Sequence, residues 1–206
     1  MTTLLQINSS LFAGHGQSSQ LSDKFVAAWK EANPQVEVKT RDLSADPVPH
    51  LTAERFGAFL AKAEDRTAEQ QAVVGFSDGL IDELRSADVI VLGMPMYNFG
   101  IPSTLKAYFD HVARAGVTFR YTETGPVGLL TNKKVYVLAA RGGMYAGTTR
   151  DSQTTYVRDF LAFIGLTDVE FVYAEGLAMG DAGKQQALSN AATEIRQLAA
   201  PLRAAA

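Results

Sequence analysis

Short apolar segments of the kind that form strands alternate with segments of helical periodicity along the whole chain. The run from Val89 to Leu92 is continuously apolar, as expected for a strand that is covered on both faces. Leu21, Phe25 and Trp29 recur instead at the spacing of one helix face. Strands that alternate with helices favour a parallel sheet with helices on both faces, joined by right-handed crossovers. We therefore predict a doubly wound α/β fold with five parallel strands.

The apolar runs also predict where the elements lie. The longest predicted helix spans Thr67 to Ser86, and its apolar face includes Phe76. The segment from Val117 to Lys134 contains Gly125 and Pro126, and we predict that it is irregular and forms a lid. The predicted strands are Thr3 to Asn8, Val36 to Leu43, Val89 to Leu92, Val135 to Ala140 and Val169 to Tyr173.

Size and composition narrow the class of protein. The 206 residues have the length of one domain, so we expect a single domain over residues 1–206. A formal net charge of −3 disfavours nucleic-acid binding, and no apolar run approaches the roughly 20 residues that cross a bilayer. The chain has no cysteine, and its three histidines lack the spacing of metal ligands. These features favour a cytoplasmic protein without a metal site that binds neither nucleic acid nor membrane.

In a doubly wound sheet, ligands bind beyond the carboxyl ends of the strands, where the strand order reverses. The loops after the first, third and fourth main strands are therefore the candidate site. After the first strand, Ser9, Ser10 and the segment from Gly14 to Ser19 offer hydroxyls and unpaired N–H groups at the start of a helix, which favours an anion site. The alternative is that Ser18 only caps that helix.

The loops after the third and fourth main strands suit a flat aromatic ligand. The segment from Met94 to Pro102 exposes apolar side chains and Asn98 on a backbone that two prolines make rigid. In the turn from Arg141 to Gly143, the two glycines let the backbone approach a ligand closely because they lack Cβ. The alternatives are that Phe99 or Ile101 only covers the sheet and that the glycines only form a turn. Convergence of the three loops at one sheet edge favours a ligand site.

The same residues resemble the FMN-dependent NADH-azoreductase family, which are flavodoxin-like quinone reductases. The resemblance covers nearly the whole chain, and its most specific segment is Pro95-Met96-Tyr97-Asn98-Phe99. Further similar segments are Val112 to Glu123, Phe163 to Gly165 and Ala174 to Gly176. The resemblance implies a flavodoxin-like fold, FMN as cofactor, NADH or alternatively NADPH as electron donor, and a quinone or azo compound as acceptor.

The resemblance also implies which residues contact the cofactor. Ser10 and the Gln17-Ser18 turn would hold the FMN phosphate, and the segments after the third and fourth main strands would line the flavin ring. The family often has serine where this chain has Gly16 and Ala140, and each loss of a hydroxyl predicts weaker retention of FMN. The implied cofactor residues are Ser10, Gly16, Gln17, Ser18, Met96, Tyr97, Asn98, Phe99, Ala140, Arg141, Gly142 and Gly143.

The mechanism that the resemblance implies is a two-step exchange at one place. NADH passes a hydride to N5 of the flavin and leaves, and the acceptor then takes two electrons there. Because the flavin carries the chemistry, we assign no catalytic side chain. Phe99 and Tyr121 are the predicted walls of the substrate slot. Tyr156 and Phe163 suggest a homodimer interface, in which the family places the residue matching Phe163 over the partner's flavin; the alternative is that both widen the core.

Other functions are open or disfavoured by the sequence. A one-electron carrier of the flavodoxin type remains an alternative, as does a related NAD(P)H-dependent flavin, chromate or nitro reductase. The segment from Gly75 to Gly79 matches a serine-hydrolase elbow, but Ser77 falls within a helical pattern. The segment from Gly14 to Ser19, with Asp42, only partly matches a dinucleotide-binding fingerprint because it ends in serine. We expect His111 to be a packing or surface residue rather than a base.

Overall fold

The structure is a computed structural model that describes residues 2–200, and it contains the alternation that the sequence predicts. Two short 3₁₀ turns, Ala13–His15 and Ala63–Asp65, accompany the main elements. The strands are β1 (Thr3–Asn8), β2 (Glu37–Asp42), β3 (Val89–Pro95), β4 (Phe119–Thr122), β5 (Gly125–Gly128), β6 (Lys134–Ala140) and β7 (Asp168–Ala174). The helices are α1 (Gln17–Ala32), α2 (Ala53–Leu60), α3 (Ala68–Ser86), α4 (Ser103–Val112), α5 (Ser152–Ile164) and α6 (Asp181–Ala199).

Five of the strands form one parallel sheet in the order β2-β1-β3-β6-β7, which confirms the predicted fold class. From β1 the chain moves outward to β2, then returns to β3 on the other side of β1 and continues outward to β6 and β7. This is the flavodoxin-like order, with its reversal between β1 and β3. Among residues 2–200, no helix combines the length and the apolar character that a membrane span requires.

Each face of the sheet is covered by its own helices, because successive side chains of a strand point to opposite faces. Leu5 and Ile90 point to the face that is covered by α3, α4 and α5. Leu4 and Val91 point to the other face, where α1 and α6 pack against each other and against the sheet. All seven residues of β3 are buried, as expected for a central strand.

The prediction that Phe76 belongs to the buried face of α3 is wrong. Its side chain is 37% exposed, whereas Val74 and Ser77 are buried. The Ser77 hydroxyl donates a hydrogen bond to the carbonyl of His111 on α4 at 2.6 Å, so that Ser77 rather than Phe76 lies on the buried face of α3. Ser77 therefore lies inside a helix, which also excludes a nucleophile elbow at this position.

The segment from Val117 to Lys134 is not irregular, because it contains the antiparallel hairpin of β4 and β5. The hairpin packs against the end of α5, where Leu130 N–H donates to the carbonyl of Ile164 at 2.9 Å. A Cβ at Gly128 would overlap the backbone of Gly165, so glycine is required for this contact. The end of α5 lies at the amino edge of the sheet, because a helix between parallel strands runs back against their direction. The hairpin is thus remote from the carboxyl ends of the strands in its own chain.

His111 is a buried packing residue, as predicted. Its Nδ1 lies 3.0 Å from the carbonyl of Ala107, and its ring meets the edges of Phe59 and Phe76 at centroid distances of 6.0 and 5.9 Å. The Nε2 atom has no hydrogen-bond partner among the described residues. Burial lowers the pKa of His111, and the contact with Ala107 only partly opposes this effect. The folded protein therefore favours the neutral imidazole.

This lowered pKa predicts a loss of stability in acid. The unfolded chain gains a proton on this histidine as the pH falls through about 6.5, whereas the folded protein resists protonation. The contribution of His111 to the free energy of unfolding should therefore be intact above that pH and disappear as the pH falls towards the folded pKa. Urea unfolding at about pH 8 and about pH 5.5 measures this difference.

His111→Asn should lose less stability between the two pH values than the unaltered protein, because asparagine can donate to Ala107 and does not titrate in this range. The exposed His50 offers a matched control, and His50→Asn should keep the full pH dependence. Equal pH dependence in the His111→Asn variant and the unaltered protein would contradict the assignment.

Candidate functional site

A cleft of about 210 Å³ lies beyond the carboxyl ends of β1, β3 and β6, at the reversal of strand order. Nine of the twelve predicted cofactor residues line it, and Asn98, Phe99 and Gly143 do not. The other four lining residues, which the predicted cofactor set does not include, are Phe12, Pro95, Leu177 and Ala178. Leu177 and Ala178 follow β7, whereas the prediction considered only the loops after the first, third and fourth main strands. The nine predicted residues are Ser10, Gly16, Gln17, Ser18, Met96, Tyr97, Ala140, Arg141 and Gly142.

The N-terminus of α1 points into the cleft because this helix packs closely on β3. A Cβ at Gly93 would lie 2.9 Å from Asn8 Oδ1 and 3.0 Å from the Ser18 carbonyl, so the approach requires glycine. The first hydrogen bond of the helix is donated by Gln20 N–H to the Gly16 carbonyl at 3.0 Å. The three preceding N–H groups have no intrahelical acceptor, and together with the helix dipole they favour an anion.

Two buried hydroxyls accompany these N–H groups. Ser18 and Ser19 are fully buried, and neither Oγ atom has a hydrogen-bond partner among the described residues. The interpretation of Ser18 as a simple cap is wrong, because Gly16 is the N-cap and Ser18 lies within the helix. Buried polar atoms are normally paired, so the unpaired hydroxyl of Ser18, the one of the two serines that lines the cleft, indicates a place for a polar ligand.

Gly16 and Ser10 form the floor of this anion site. A Cβ at Gly16 would overlap the Ser10 side chain. In this structure the glycine therefore makes room for Ser10, in addition to lacking the hydroxyl that the family often has at this position. The Ser10 Oγ accepts a hydrogen bond from Phe12 N–H at 3.2 Å and lies 3.4 Å from the Tyr97 hydroxyl. Tyr97 also accepts from Leu11 N–H at 3.3 Å. The phenol thus joins the loop after β3 to the loop after β1.

The loop after β3 ends in a tight turn. Tyr97 N–H donates to the Gly100 carbonyl and Gly100 N–H to the Tyr97 carbonyl, both at 3.0 Å. The two residues between them, Asn98 and Phe99, have φ angles of 50° and 65°. Two consecutive left-handed residues are typical of a type I′ turn, but phenylalanine is strained there. The surrounding contacts must therefore hold the turn in place.

Phe99 does not line the cleft itself. Its side chain is 54% exposed and lines a neighbouring groove of about 580 Å³ together with His50 and Tyr156. Its ring meets the edge of Tyr145 at a centroid distance of 5.7 Å. Tyr145 also fills the space beside Gly143, where a Cβ would lie 2.8 Å from the tyrosine hydroxyl. Phe99 and Tyr145 therefore flank the entrance between the two loops.

The loop after β6 is held from below by the side chain of Arg141. This guanidinium is fully buried and turns away from the cleft, so only the backbone of Arg141 can line the cleft. It lies 3.1 Å from both Glu175 Oε1 and Asp151 Oδ1. The cleft lining contains no other lysine or arginine, so its attraction for an anion comes from α1.

Asp151 caps α5 and shows how tightly this ionic cluster is bonded. Burial acts to raise the pKa of its carboxyl, but the hydrogen bonds from Thr154 N–H, from Arg141 and from the Thr154 hydroxyl outweigh burial and lower the pKa. The carboxylate is therefore charged at neutral pH. Together with Glu175 it more than compensates the buried cation.

The glycines after Arg141 support the loop after β7. The carbonyls of Arg141, Gly142 and Gly143 accept hydrogen bonds from Leu177, Ala178 and Gly176 N–H at 3.1, 3.0 and 2.9 Å. A Cβ at Gly142 would touch Ala178 at 3.4 Å. The lining residues Leu177 and Ala178 thus owe their position to a backbone contact that sequence spacing does not show.

The predicted substrate residues Tyr121 and Phe163 do not line the cleft of the same chain. Phe163 lies near the end of α5 and packs on Phe119 of the hairpin at a centroid distance of 4.1 Å, and Phe119 packs on Tyr121 at 5.5 Å. Ser152 at the start of α5 lines the neighbouring groove, and Phe163, eleven residues further along the helix, lies about 16 Å away along the helix axis. Tyr121 is 74% exposed.

This arrangement fits a phosphate joined to a flat ring, which is the chemistry of FMN. The N-terminus of α1 and the unpaired Ser18 hydroxyl fit the phosphate, and the glycine at position 16 leaves room above Ser10. Met96, Leu177 and Ala178 provide apolar walls for a ring.

Comparison with known proteins agrees with this chemistry. The model of a family described as having the flavodoxin-like fold matches residues 2–199. An FMN-dependent NADH:quinone oxidoreductase of Cellvibrio japonicus is 62% identical over 197 residues, which cover 96% of this chain and 98% of the relative. A protein of the same name from Alcanivorax borkumensis is 59% identical over 192 residues, with coverage of 93% and 97%.

Solved structures show the same similarity in three dimensions. The azoreductase from Bacillus anthracis str. Sterne has a TM-score of 0.89 and 30% identity, and the match covers 97% of this chain and 99% of that chain. An FMN-dependent NADH-azoreductase from Bacillus anthracis str. Ames Ancestor, solved in complex with FMN, has a TM-score of 0.88 and 29% identity, with coverage of 97% and 98%.

The unpaired hydroxyl of Ser18 allows a test in which stability and affinity change independently. Ser18→Ala removes a buried polar atom without a partner, so the free energy of unfolding without ligand should stay the same or rise. Affinity for FMN should fall about tenfold, because a hydrogen bond to a charged group contributes roughly 1.5–3 kcal/mol. Urea unfolding of the apoprotein and fluorescence titration with FMN measure the two effects.

Ser189→Ala, at an exposed serine of α6, is the matched control and should leave the affinity for FMN unchanged. Unchanged FMN affinity in Ser18→Ala would show that the phosphate lies elsewhere.

Proposed function

Because this chain belongs to the FMN-dependent NADH:quinone oxidoreductases, a family with the flavodoxin-like fold, we propose that it binds FMN and transfers two electrons from NADH to a quinone or an azo compound. The observation that carries the proposal is the cleft at the β1–β3 reversal, where the N-terminus of α1, the unpaired hydroxyl of Ser18 and apolar walls meet. We place the reaction in the cytoplasm, where NADH is available as donor.

In this proposal the protein binds and orients the reactants. The N–H groups of α1, with Ser10 and Ser18, hold the FMN phosphate, and Met96, Tyr97 and the backbone of Gly142 border the ring. FMN, when bound there, would supply the two-electron hydride chemistry at its N5 atom that links NADH to the acceptor.

The substrates occupy the entrance beside the Phe99 turn one after the other. Phe99 provides an exposed aromatic surface there, against which the flat nicotinamide and quinone rings can stack. One shared place implies a ping-pong sequence, in which oxidised NADH leaves before the acceptor enters. The proton that the quinone takes up in addition to the hydride comes from solvent, and we assign no side chain as acid or base.

We further propose that the functional unit is a homodimer. Tyr121 and Phe163 lie at the amino edge of the sheet, whereas the cleft lies at the carboxyl edge, so they can complete a substrate slot only in a second copy. Tyr121 is exposed on a hairpin, and Tyr156 is 37% exposed in the groove that begins at Phe99. This groove provides a surface on which the partner can lie.

Rapid mixing tests the electron transfer. Anaerobic mixing of the FMN-loaded protein with NADH should remove the flavin absorbance, with one NADH oxidised for each FMN, and later addition of a benzoquinone should restore it. Initial rates at varied NADH and benzoquinone should give parallel double-reciprocal lines. Flavin that NADH cannot reduce would refute the proposal, and reduction that stops after one electron would favour a carrier instead.

Phe163→Ala tests the shared slot. The loss of one aromatic surface should lower kcat/KM for the quinone about tenfold, since such contacts contribute roughly 0.5–1.5 kcal/mol beyond their burial. Binding of FMN should change little, and light scattering should show dimers. Phe76→Ala, at a partly exposed aromatic residue on α3, is the control. Full turnover by a monomer would refute the shared slot.

A further inference from the structure

Gln153 connects the two loops on either side of the cleft from below. It is the second residue of α5 and is 1% exposed. Its Nε2 donates to the carbonyl of Pro95, the last residue of β3, at 2.8 Å and to the carbonyl of Gly100, the last residue of the turn, at 3.2 Å. Its Oε1 accepts from Arg141 Nε at 3.1 Å, in the loop after β6. One side chain thus contacts both loops.

The orientation of this amide follows from its partners. The guanidinium of Arg141 can only donate hydrogen bonds, and the carbonyls of Pro95 and Gly100 can only accept them. The amide oxygen must therefore face Arg141, and the amide nitrogen must face the carbonyls. A glutamate of the same shape could keep the contact with Arg141 but could not donate to the carbonyls of Pro95 and Gly100.

The contacts continue from Arg141 to the outer part of its loop. Arg141 donates to Glu175 Oε1 at 3.1 Å, and the same oxygen accepts from Tyr145 and Ala146 N–H at 3.0 Å. A hydrogen-bonded chain therefore runs from the turn after β3, through Gln153, to residues 145 and 146. The Ser152 hydroxyl adds a bond to the Phe99 carbonyl at 2.6 Å.

We propose that Gln153 is a positioning residue for FMN, an inference that rests on the function proposed above. It fixes the spacing of the two loops and holds the strained Asn98-Phe99 turn before the cofactor arrives. Because the loops are ordered in advance, FMN binding does not have to supply their ordering entropy. Gln153 itself does not line the cleft, so its effect on FMN passes through the backbone of the loops.

Gln153→Glu tests this role. Gln71→Glu makes the same change of side chain and charge at an exposed residue of α3 and is the matched control. We expect the dissociation constant for FMN, measured by fluorescence titration of the apoprotein, to rise about tenfold in Gln153→Glu only. The ratio of the FMN dissociation constant of Gln153→Glu to that of the unaltered protein should fall towards one as the pH is lowered from about 8 to about 5.5. A protonated carboxyl can donate a hydrogen bond as well as accept one.

Hydrogen exchange of the apoprotein separates positioning from general destabilisation. In Gln153→Glu the amides of Tyr97 and Gly100 should exchange about tenfold faster, while amides within β3 and β6 keep their rates. Unchanged FMN affinity, or faster exchange throughout the protein, would overturn the inference. If the unaltered protein binds no FMN, the proposed function fails, and local exchange still decides whether Gln153 holds the turn.

Discussion

The β1–β3 pair at the centre of the sheet is the constraint on which the rest of the structure depends. From this pair the chain winds outward in both directions, so α1 and α4 leave towards opposite faces and the carboxyl ends of the two strands stay uncovered. The absence of a side chain at Gly93 brings α1 close enough to direct its unpaired N–H groups into that gap. The anion site is thus a product of packing in the centre of the fold.

The buried cation of Arg141 has an unexpected place in this site. The resemblance implies that Arg141 lines the flavin ring, yet its guanidinium contacts Asp151, Glu175 and Gln153 below the loop. A buried charge is tolerated only when it is paired and its hydrogen bonds are made, and the planar group with five donors can satisfy several partners at once. The proposed phosphate site therefore relies on helix N–H groups, and the arginine gives the loop its shape.

The distance between the two ends of α5 explains why one chain does not complete the proposed slot. Ser152 and Gln153 start the helix beside the cleft, and Phe163 ends it beside the hairpin. The rigid helix prevents Phe163 and Tyr121 from reaching the cleft of their own chain. Two copies that pair with opposite ends of α5 side by side would bring these residues to the cleft of the partner. The close contact of Gly128 with Gly165 keeps the hairpin at that remote end.

The sequence by itself determined the five strands of the main sheet, their parallel arrangement and three of the loops that line the cleft, since apolar periodicity and strand–helix alternation are local properties. Cofactor residues predicted from the segments after single strands, such as Ser18 and Met96, do line the cleft. Their neighbours in sequence are also their neighbours in space, so a local pattern is enough to predict them. Only the tertiary structure decided the direction of the Arg141 side chain, the contacts of Gln153, the approach of Leu177 and Ala178, and the hairpin within residues 117–134. Each of these depends on contacts between segments far apart in the chain, and local patterns carry no information about which distant group a side chain will meet.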